Sequence, residues 1–318
     1  MTFRIKIATT PAELDGVFRV RHRVFVEEEG FMQPTHDGRI CDRFDTFPTT
    51  ANIVAMVGER VVGTIRFMDH CELGTSADGY FDFTPFQRPD GRTGSTSQYV
   101  VEREYRPHKG LSFSLMGMGY YWSTARGMTH LTAAANPLVV PMLEGIGWRR
   151  VAPEYRDHQR GLGVVPILLD LGALNDRFMS FVDRQGISHL LSAFDREFAL
   201  AGNEIFRAGD RGDCMYVVVN GSVAIYAGAR SQAEHEPLAR LREGDLFGEL
   251  ALLIDRPRTA TAIAETDVDL MVIDRKAFES QVRGHPDVAM NLLRMLGQRL
   301  ADTTTRIAPP PFELPARQ

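Results

Sequence analysis

Cysteine is scarce in this chain: three residues in 318, at positions 41, 71 and 214. Cys41, Cys71 and Cys214 are odd in number, far apart and without metal-ligand spacing. That excludes a disulfide framework and a cysteine-built metal centre, and it predicts reduced thiols. Long apolar runs are missing too. The longest, Gly161 to Leu174, is broken by Pro166 and Asp170 and is shorter than the ~20 residues a bilayer demands. The opening MTFRIKIATT has no apolar core of a secretion signal,. Nor is there an excess of positive charge: the formal net charge is -5, which argues against a general nucleic-acid binder. The expectation is a cytoplasmic protein with no metal and no nucleic-acid partner.

What is present is ordinary globular composition, 44% hydrophobic and 24% charged,. A chain of 318 residues favours two domains, since single cores stop growing at about 250–300 residues. The two halves have different rhythms. In the first, a strand at Phe3–Ala8 precedes Thr10-Pro11-Ala12-Glu13, which has the threonine cap, proline and glutamate of a helix start. Leu14, Val17, Phe18, Arg21, Val24 and Phe25 then share one helical face. Arg21 on that apolar stripe is either a snorkelling surface side chain or an anchor for structure or substrate. Strands follow at Ala51–Val57, Val61–Phe67 and Gln98–Val101. A helix is expected over Leu111–Arg126, a strand over Thr129–Ala134, a helix over Pro137–Ile146, and strands over Arg149–Pro153 and Val164–Leu171. This alternation predicts an α/β layer structure.

From Ile187 onward, short strands separated by glycine predict a small β-barrel or jelly roll with flanking helices at Ser188–Phe194 and Arg275–Leu300. The expected division is an α/β domain over 1–173, a linker helix over 174–186, a β domain over 187–303 and a proline-rich flexible tail over 304–318.

Within the β domain, FGELALLIDRPRTATA (247–262) combines Phe247, Gly248, Glu249, Leu250 and Ala251 with Arg258 and Thr259. The glycine permits close backbone approach, and N–H groups of the following turn can face an anion. Arg258 supplies a fork suited to phosphate, whereas Glu249 suits a sugar hydroxyl. With the entry EIFRAGD, the stretch GDCMYVV, Gly221 and LREGD, residues 187–302 resemble a cyclic nucleotide-binding domain. The resemblance implies that Glu249 binds the ribose 2′-hydroxyl and Arg258 the cyclic phosphate, aided by the N–H groups of Leu250 and Ala251. Thr259 leaves the choice between cyclic AMP and cyclic GMP open. Catabolite-activator relatives continue into a helix-turn-helix module. The sequence stops soon after Leu300, so a DNA-binding regulator is not expected and the sensor is expected to report to the first domain.

In the first half, Glu104-Tyr105-Arg106-Pro107-His108-Lys109-Gly110-Leu111-Ser112 leaves a strand and opens a helix, a place that suits a phosphate or pyrophosphate,. The order of elements over residues 3–171 resembles the GNAT acyltransferases. That likeness implies an acyl-coenzyme A or acyl carrier protein donor held at Arg106, His108, Lys109, Gly110, Leu111 and Ser112. The loop departs from the usual form in the placing of Arg106 and in Ser112, and Leu143 stands where many relatives have a tyrosine that acts as general acid.

RHRVFVEEEGF (21–31), CDRFD (41–45) and GTIRF (63–67) resemble the opening of acyl-homoserine-lactone synthases and long-chain N-acyl amino acid synthases. By that resemblance Arg21, Phe25, Asp42, Asp45 and Arg66 belong to the amino-substrate region. Asp42 and Asp45 either hold an ammonium or pair with Arg43, Arg66 or a helix terminus. The strand positions that carry glutamate and arginine in lactone synthases read Ser95 and Gln98, which favours an N-acyl amino acid product over a lactone. Amide formation from a thioester needs an oxyanion site, assigned to the N–H groups near Val100 and Val101. It also needs a proton acceptor, assigned to Glu102, which equally reads as a solvated partner of Arg103.

The expected function is a cyclic-nucleotide-regulated N-acyltransferase that moves a fatty acyl group onto an amino acid, with transient membrane association through its lipid product. Two alternatives are a cyclic-AMP-regulated protein lysine acetyltransferase and a catalytically silent nucleotide sensor.

Overall fold

The computed structural model describes residues 1–71, 74–86, 91–157, 161–174, 195–228, 236–254, 256–284, Met290 and Gly297. The expected linker helix 174–186, the helix at 188–194, most of the terminal helix beyond 284 and the tail from 304 lie outside the described residues.

The first unit opens with β1 (Thr2–Ile7), α1 (Pro11–His22), β2 (Thr50–Val57) and β3 (Arg60–Asp69). It continues with β4 (Arg92–Val101), α2 (Lys109–Ala125), β5 (Met128–Ala135) and α3 (Val140–Glu144). Two short strands, β6 (Arg149–Arg150) and β7 (Tyr155–Asp157), precede β8 (Leu162–Asp170). The α1 start is as its sequence dictates: Thr10 accepts from the Glu13 N–H, and Glu13 caps the Thr10 backbone in return. The expected helix over 137–146 is shorter, because its first residues form a turn that Asn136 Oδ1 caps at the Leu138 N–H.

The second unit begins with β9 (Asp195–Ala199), β10 (Glu204–Phe206), β11 (Cys214–Asn220) and β12 (Val223–Ala227). After these come β13 (Ala239–Leu241), β14 (Leu246–Phe247) and the single turn α4 (Leu250–Leu253). β15 (Ala260–Ala264), β16 (Val268–Asp274) and α5 (Arg275–Gly284) complete it. Of the expected forms, barrel or jelly roll, the structure has the jelly roll: among the described residues its strands do not close on themselves. A 4-stranded sheet of order β10-β15-β12-β13 faces β14, β11, β16 and β9, which belong to a 12-stranded sheet.

That larger sheet runs through both units, in the order β14-β11-β16-β9-β1-β2-β3-β4-β5-β8-β6, with β7 on β8. The seam is β9 against β1, antiparallel, with Thr2 opposite Ala199 and Ile5 opposite Arg196. On one face α2 packs over β1, β2 and β3 around Phe3, Ile53, Phe67, Leu111 and Leu115, and Phe198 of β9 joins this core. On the opposite face α1 covers Val54, Val61 and Val100. A smaller core of Tyr216, Val218, Phe247 and Leu270 fills the jelly roll.

Glycine decides how closely α2 approaches. A Cβ at Gly119 would sit 1.9 Å from the Phe67 ring, and one at Gly110 2.4 Å from the Phe198 ring. The helix therefore lies directly on aromatic faces of the sheet.

Candidate functional site

The first feature is a row of polar side chains across an otherwise apolar sheet. Asn52 on β2 faces Arg66 on β3, which faces Ser97 on β4. Arg66 is 1% exposed and Arg21 0%, so both guanidinium groups must be neutralised on site. The Arg21 fork donates to both oxygens of Asp45 at 2.9 Å and to Asn52 Oδ1 at 2.6 Å. Arg66 donates to both oxygens of Asp42, at 2.6 and 2.9 Å, and its Nε donates to Ser97 Oγ. Asp45 also lies 3.1 Å from Arg66.

Asp42 and Asp45 are thus reciprocal caps of the turn Arg43–Thr46 as well as counter-ions. Asp45 is sealed in. The Asp42 side chain, 36% exposed, is the carboxylate of the pair that reaches solvent. Burial on its own would raise the Asp42 carboxyl; the Arg66 fork overrides that and holds it below the ordinary carboxylate range,. Asp42 therefore remains an anion able to meet an ammonium. Phe25 lies half-buried against the α1 core.

The second feature is a fork in the sheet. Pairing of β4 with β5 is parallel and runs only from Arg92 opposite Met128 to Ser95 opposite Thr132. The β3–β4 ladder shifts register between Thr64 and Arg66, and Gln98 takes φ 55° at that point. A non-glycine residue in the left-handed region is strained, and such residues gather at functional sites. Beyond the bulge, Val100 and Val101 pair with Thr64 and Gly63. Tyr99 donates to Ser112 Oγ at 2.7 Å, which ties the bulged strand to the start of α2.

Two expected roles change with the geometry. Glu102 is buried, and its carboxylate accepts from Arg23 Nε at 2.5 Å and Arg60 Nη2 at 2.7 Å. Each of its two oxygens accepts from an arginine, so Glu102 clamps Arg23 and Arg60 together, and its partner is not the expected Arg103. Arg106 is likewise engaged: its fork meets Glu28 at 2.5 Å and Glu29 at 2.6 Å, and its Nε donates to the Val101 carbonyl. Lys109 remains exposed at the first turn of α2, and Gly110, Leu111 and Ser112 continue that turn over Phe198. His108 lies against Phe3, 6.0 Å between ring centroids.

In the second unit, Gly248 has φ 78°, and a Cβ there would meet Arg258 Nη1 at 2.6 Å. The Arg258 side chain is 6% exposed, lies over the Phe206 ring at 4.2 Å and donates to the Gly248 carbonyl at 2.8 Å. Its Nε is a buried donor with no hydrogen-bond partner among the described residues. Buried donors are almost always satisfied, so an oxygen-bearing anion beside this edge fits the chemistry. Glu249 is buried at the start of α4, with Ala251 buried and Leu250 exposed behind it. Thr259 is exposed. Phe206, Tyr216 and Phe247 stack beneath the arginine, at 5.1 to 5.9 Å between centroids.

Sequence reasoning missed Glu197. It sits on β9, an unexpected strand, and burial pushes its carboxyl up to about 7 against the lowering influence of Arg258. The sequence signal was faint: DREFA reads as a charged loop unless its charges are known to be paired.

The chain thus joins an α/β unit with a forked sheet to a jelly roll that holds a buried arginine. More particularly, residues 16–170 match the family model for the N-acyl amino acid synthase FeeM, and residues 196–285 match that of the cyclic nucleotide-binding domain. The chain therefore carries an acyltransferase-family domain followed by a cyclic nucleotide-binding domain. The cyclic AMP receptor protein of Thermus thermophilus is 36% identical over 112 residues, which is 35% of this chain and 51% of the relative. The CRP-like cAMP-activated global transcriptional regulator of Mycobacterium tuberculosis is 34% identical over 108 residues, 34% of this chain and 47% of the relative. This chain thus spans about half the length of the curated relatives it matches. The solved structure of FeeM, an N-acyl amino acid synthase from uncultured soil microbes, aligns at 16% identity and TM-score 0.46 over 54% of this chain and 93% of that one.

Proposed function

We propose that the protein is a cytoplasmic N-acyltransferase under cyclic-nucleotide control that makes N-acyl amino acids from a long-chain acyl thioester. The donor is acyl carrier protein or coenzyme A, bound at the Lys109–Ser112 turn beside the β4–β5 fork. The free amine of an amino acid attacks the thioester carbonyl; the C–N bond forms, the C–S bond breaks, and the proton released by the nitrogen ends on the departing thiolate, which leaves as the thiol. Asp42, ionised and open to solvent, receives the incoming ammonium before it is deprotonated. N–H groups near the bulge at Gln98 serve the oxyanion. The lipid product brings the protein to membranes transiently. Cyclic AMP or cyclic GMP binds through Glu249 and Arg258 and regulates transfer.

The observation that carries this reading is the pairing of the synthase-family match over 16–170 with the buried, unsatisfied Arg258 edge in the nucleotide domain. A second reading, a silent acyltransferase fold that only senses nucleotide, draws on the engagement of Glu102 and Arg106 in ion pairs. Mass spectrometry on the purified protein with palmitoyl-coenzyme A or palmitoyl-acyl carrier protein, mixed amino acids and either nucleotide separates the two. New N-acyl amino acids whose yield responds to nucleotide are expected. Acetylated peptide from acetyl-coenzyme A, or no turnover on any donor, would refute the synthase assignment.

A further inference from the structure

β9 belongs to two sites at once. Its neighbours alternate, as on any strand, so Arg196 and Phe198 face one side and Asp195, Glu197 and Ala199 the other. Phe198 enters the core beneath α2, where its ring occupies the space a Gly110 side chain would need. It also lies 6.1 Å from the Phe3 ring, so Phe3 and Phe198 together form the floor of the turn from Arg106 to Gly110. Arg196 crosses α2 lower down: it lies over the Tyr121 ring at 5.1 Å and approaches the place of a Cβ at Gly117 to 3.0 Å.

Arg196 does not reach α2 alone. Its guanidinium donates to both oxygens of Asp269 on β16, at 2.9 and 2.6 Å, and Ser114 Oγ of α2 donates to the same carboxylate. All three residues are buried. A fully desolvated charge pair with a hydroxyl on its open side is an interaction that tolerates only small displacements. Through it, two strands of the nucleotide domain grip the middle of the helix whose first turn is proposed to hold the acyl donor.

The opposite face of β9 looks into the jelly roll. Ala199 packs in the core that contains Phe206, Tyr216 and Phe247, the aromatic floor beneath Arg258. Glu197 is the acidic side chain of β9 on which Arg258 acts electrostatically. A cyclic phosphate that draws Arg258 off the Gly248 carbonyl and its aromatic floor therefore alters the packing and field on β9 directly.

We propose that β9 is the coupling element, with Phe198, Arg196, Asp269 and Ser114 as positioning residues through which occupation of the nucleotide pocket sets the placement of the α2 N-terminal half and hence the affinity for the acyl donor. This rests on the reading of the two sites given above. It places regulation in the shared sheet, with no part assigned to the chain beyond residue 284.

The test is hydrogen–deuterium exchange over residues 109–116 of the full-length protein with and without saturating cyclic AMP or cyclic GMP, alongside nucleotide affinity and the nucleotide effect on donor KM and kcat. Nucleotide is expected to change exchange of these amides and to move donor KM by roughly fivefold or more, the usual size of such couplings, with little change in kcat. In Ser114→Ala and in the milder Phe198→Leu, nucleotide affinity is expected to stay within about twofold while the exchange change and the KM effect shrink toward none. Bound nucleotide with unchanged α2 exchange, or a KM effect intact in both variants, would overturn the coupling and leave the two site assignments standing. Failure of both nucleotides to bind would overturn the pocket assignment itself and the coupling with it.

Discussion

Glu197→Gln isolates the cost of placing a carboxyl between two sheets. The carboxyl titrates at about 7 where 4.5 is ordinary, because burial disfavours its anion more than Arg258 favours it,. The other groups on its side are Tyr216, itself pushed up first by burial and then by Glu197 and Cys214, and the Cys214 thiol, raised by burial. On the strand edges it faces Arg4 of β1 and Leu270 of β16 in register, and Asp195 beside it is paired with Arg4. A raised folded-state pKa means that the native protein holds the proton when the unfolded chain has lost it. Stability therefore falls as pH rises from about 4.5 to about 7,. The full penalty corresponds to roughly 3 kcal/mol at 1.4 kcal/mol per tenfold, and partial contact with water reduces it to between about 1 and 3 kcal/mol.

Glutamine has the shape of the protonated acid and cannot ionise. Urea unfolding of the two proteins should coincide at pH 4.5, and the variant should be more stable by that margin at pH 8. Nucleotide binding adds a second signature. A cyclic phosphate on Arg258 cancels the one favourable charge, so wild-type protein should take up a proton on binding near pH 7.5, measured as a dependence of calorimetric enthalpy on buffer ionisation. The variant should show none from this group. A stability gain that is equal at both pH values, or larger at the acid end, would refute the argument.

Arg258→Glu should abolish binding of cyclic AMP and cyclic GMP in a direct titration while the circular dichroism spectrum is kept; retained affinity would remove the pocket assignment. Asp45→Ala strands Arg21 in the core, and loss of one member of a buried pair typically costs about 3–5 kcal/mol, so the variant should unfold at clearly lower urea. Asp42→Asn leaves the buried Arg66 only the carboxylate of Asp45, shared with Arg21, so it should unfold at lower urea than wild type though less so than Asp45→Ala, and lose affinity for the amino acid acceptor, read as acceptor KM,. Glu102→Gln should lower stability yet leave the pH profile of transfer in place, whereas loss of the acid-side limb, on which the rate rises with pH, would restore Glu102 as the proton acceptor. Gly119→Ala should destabilise by about 1–3 kcal/mol in the same unfolding assay, because Phe67 cannot yield the space a methyl needs,.

Much of this was legible in the sequence for a simple physical reason: local rules act on neighbouring residues. The Thr10–Glu13 cap and the α2 span are set by residues close along the chain and came through with small shifts in their ends. The partners of Glu102 and Arg106 were not legible, since what engages them comes from Arg23, Arg60, Glu28 and Glu29, distant along the chain. Spacing identifies a charged side chain near a site; it does not reveal whether another charge has already taken it.

β9 was illegible for the complementary reason. Asp195-Arg196-Glu197 carries three charges in succession, a pattern that alone excludes a buried strand. It is a strand because two of the three charges meet a partner from another element, Arg4 for Asp195 and Asp269 for Arg196, while burial disfavours the anion of the third, Glu197, on which Arg258 acts at a distance. These groups come from β1, β16 and the nucleotide cassette. A segment that owes its burial to charges supplied by both units is stable only when both are folded against it. The same dependence makes it responsive to a change in either. An apolar strand at the seam would have joined the domains just as firmly, but it would have been indifferent to an anion arriving at Arg258.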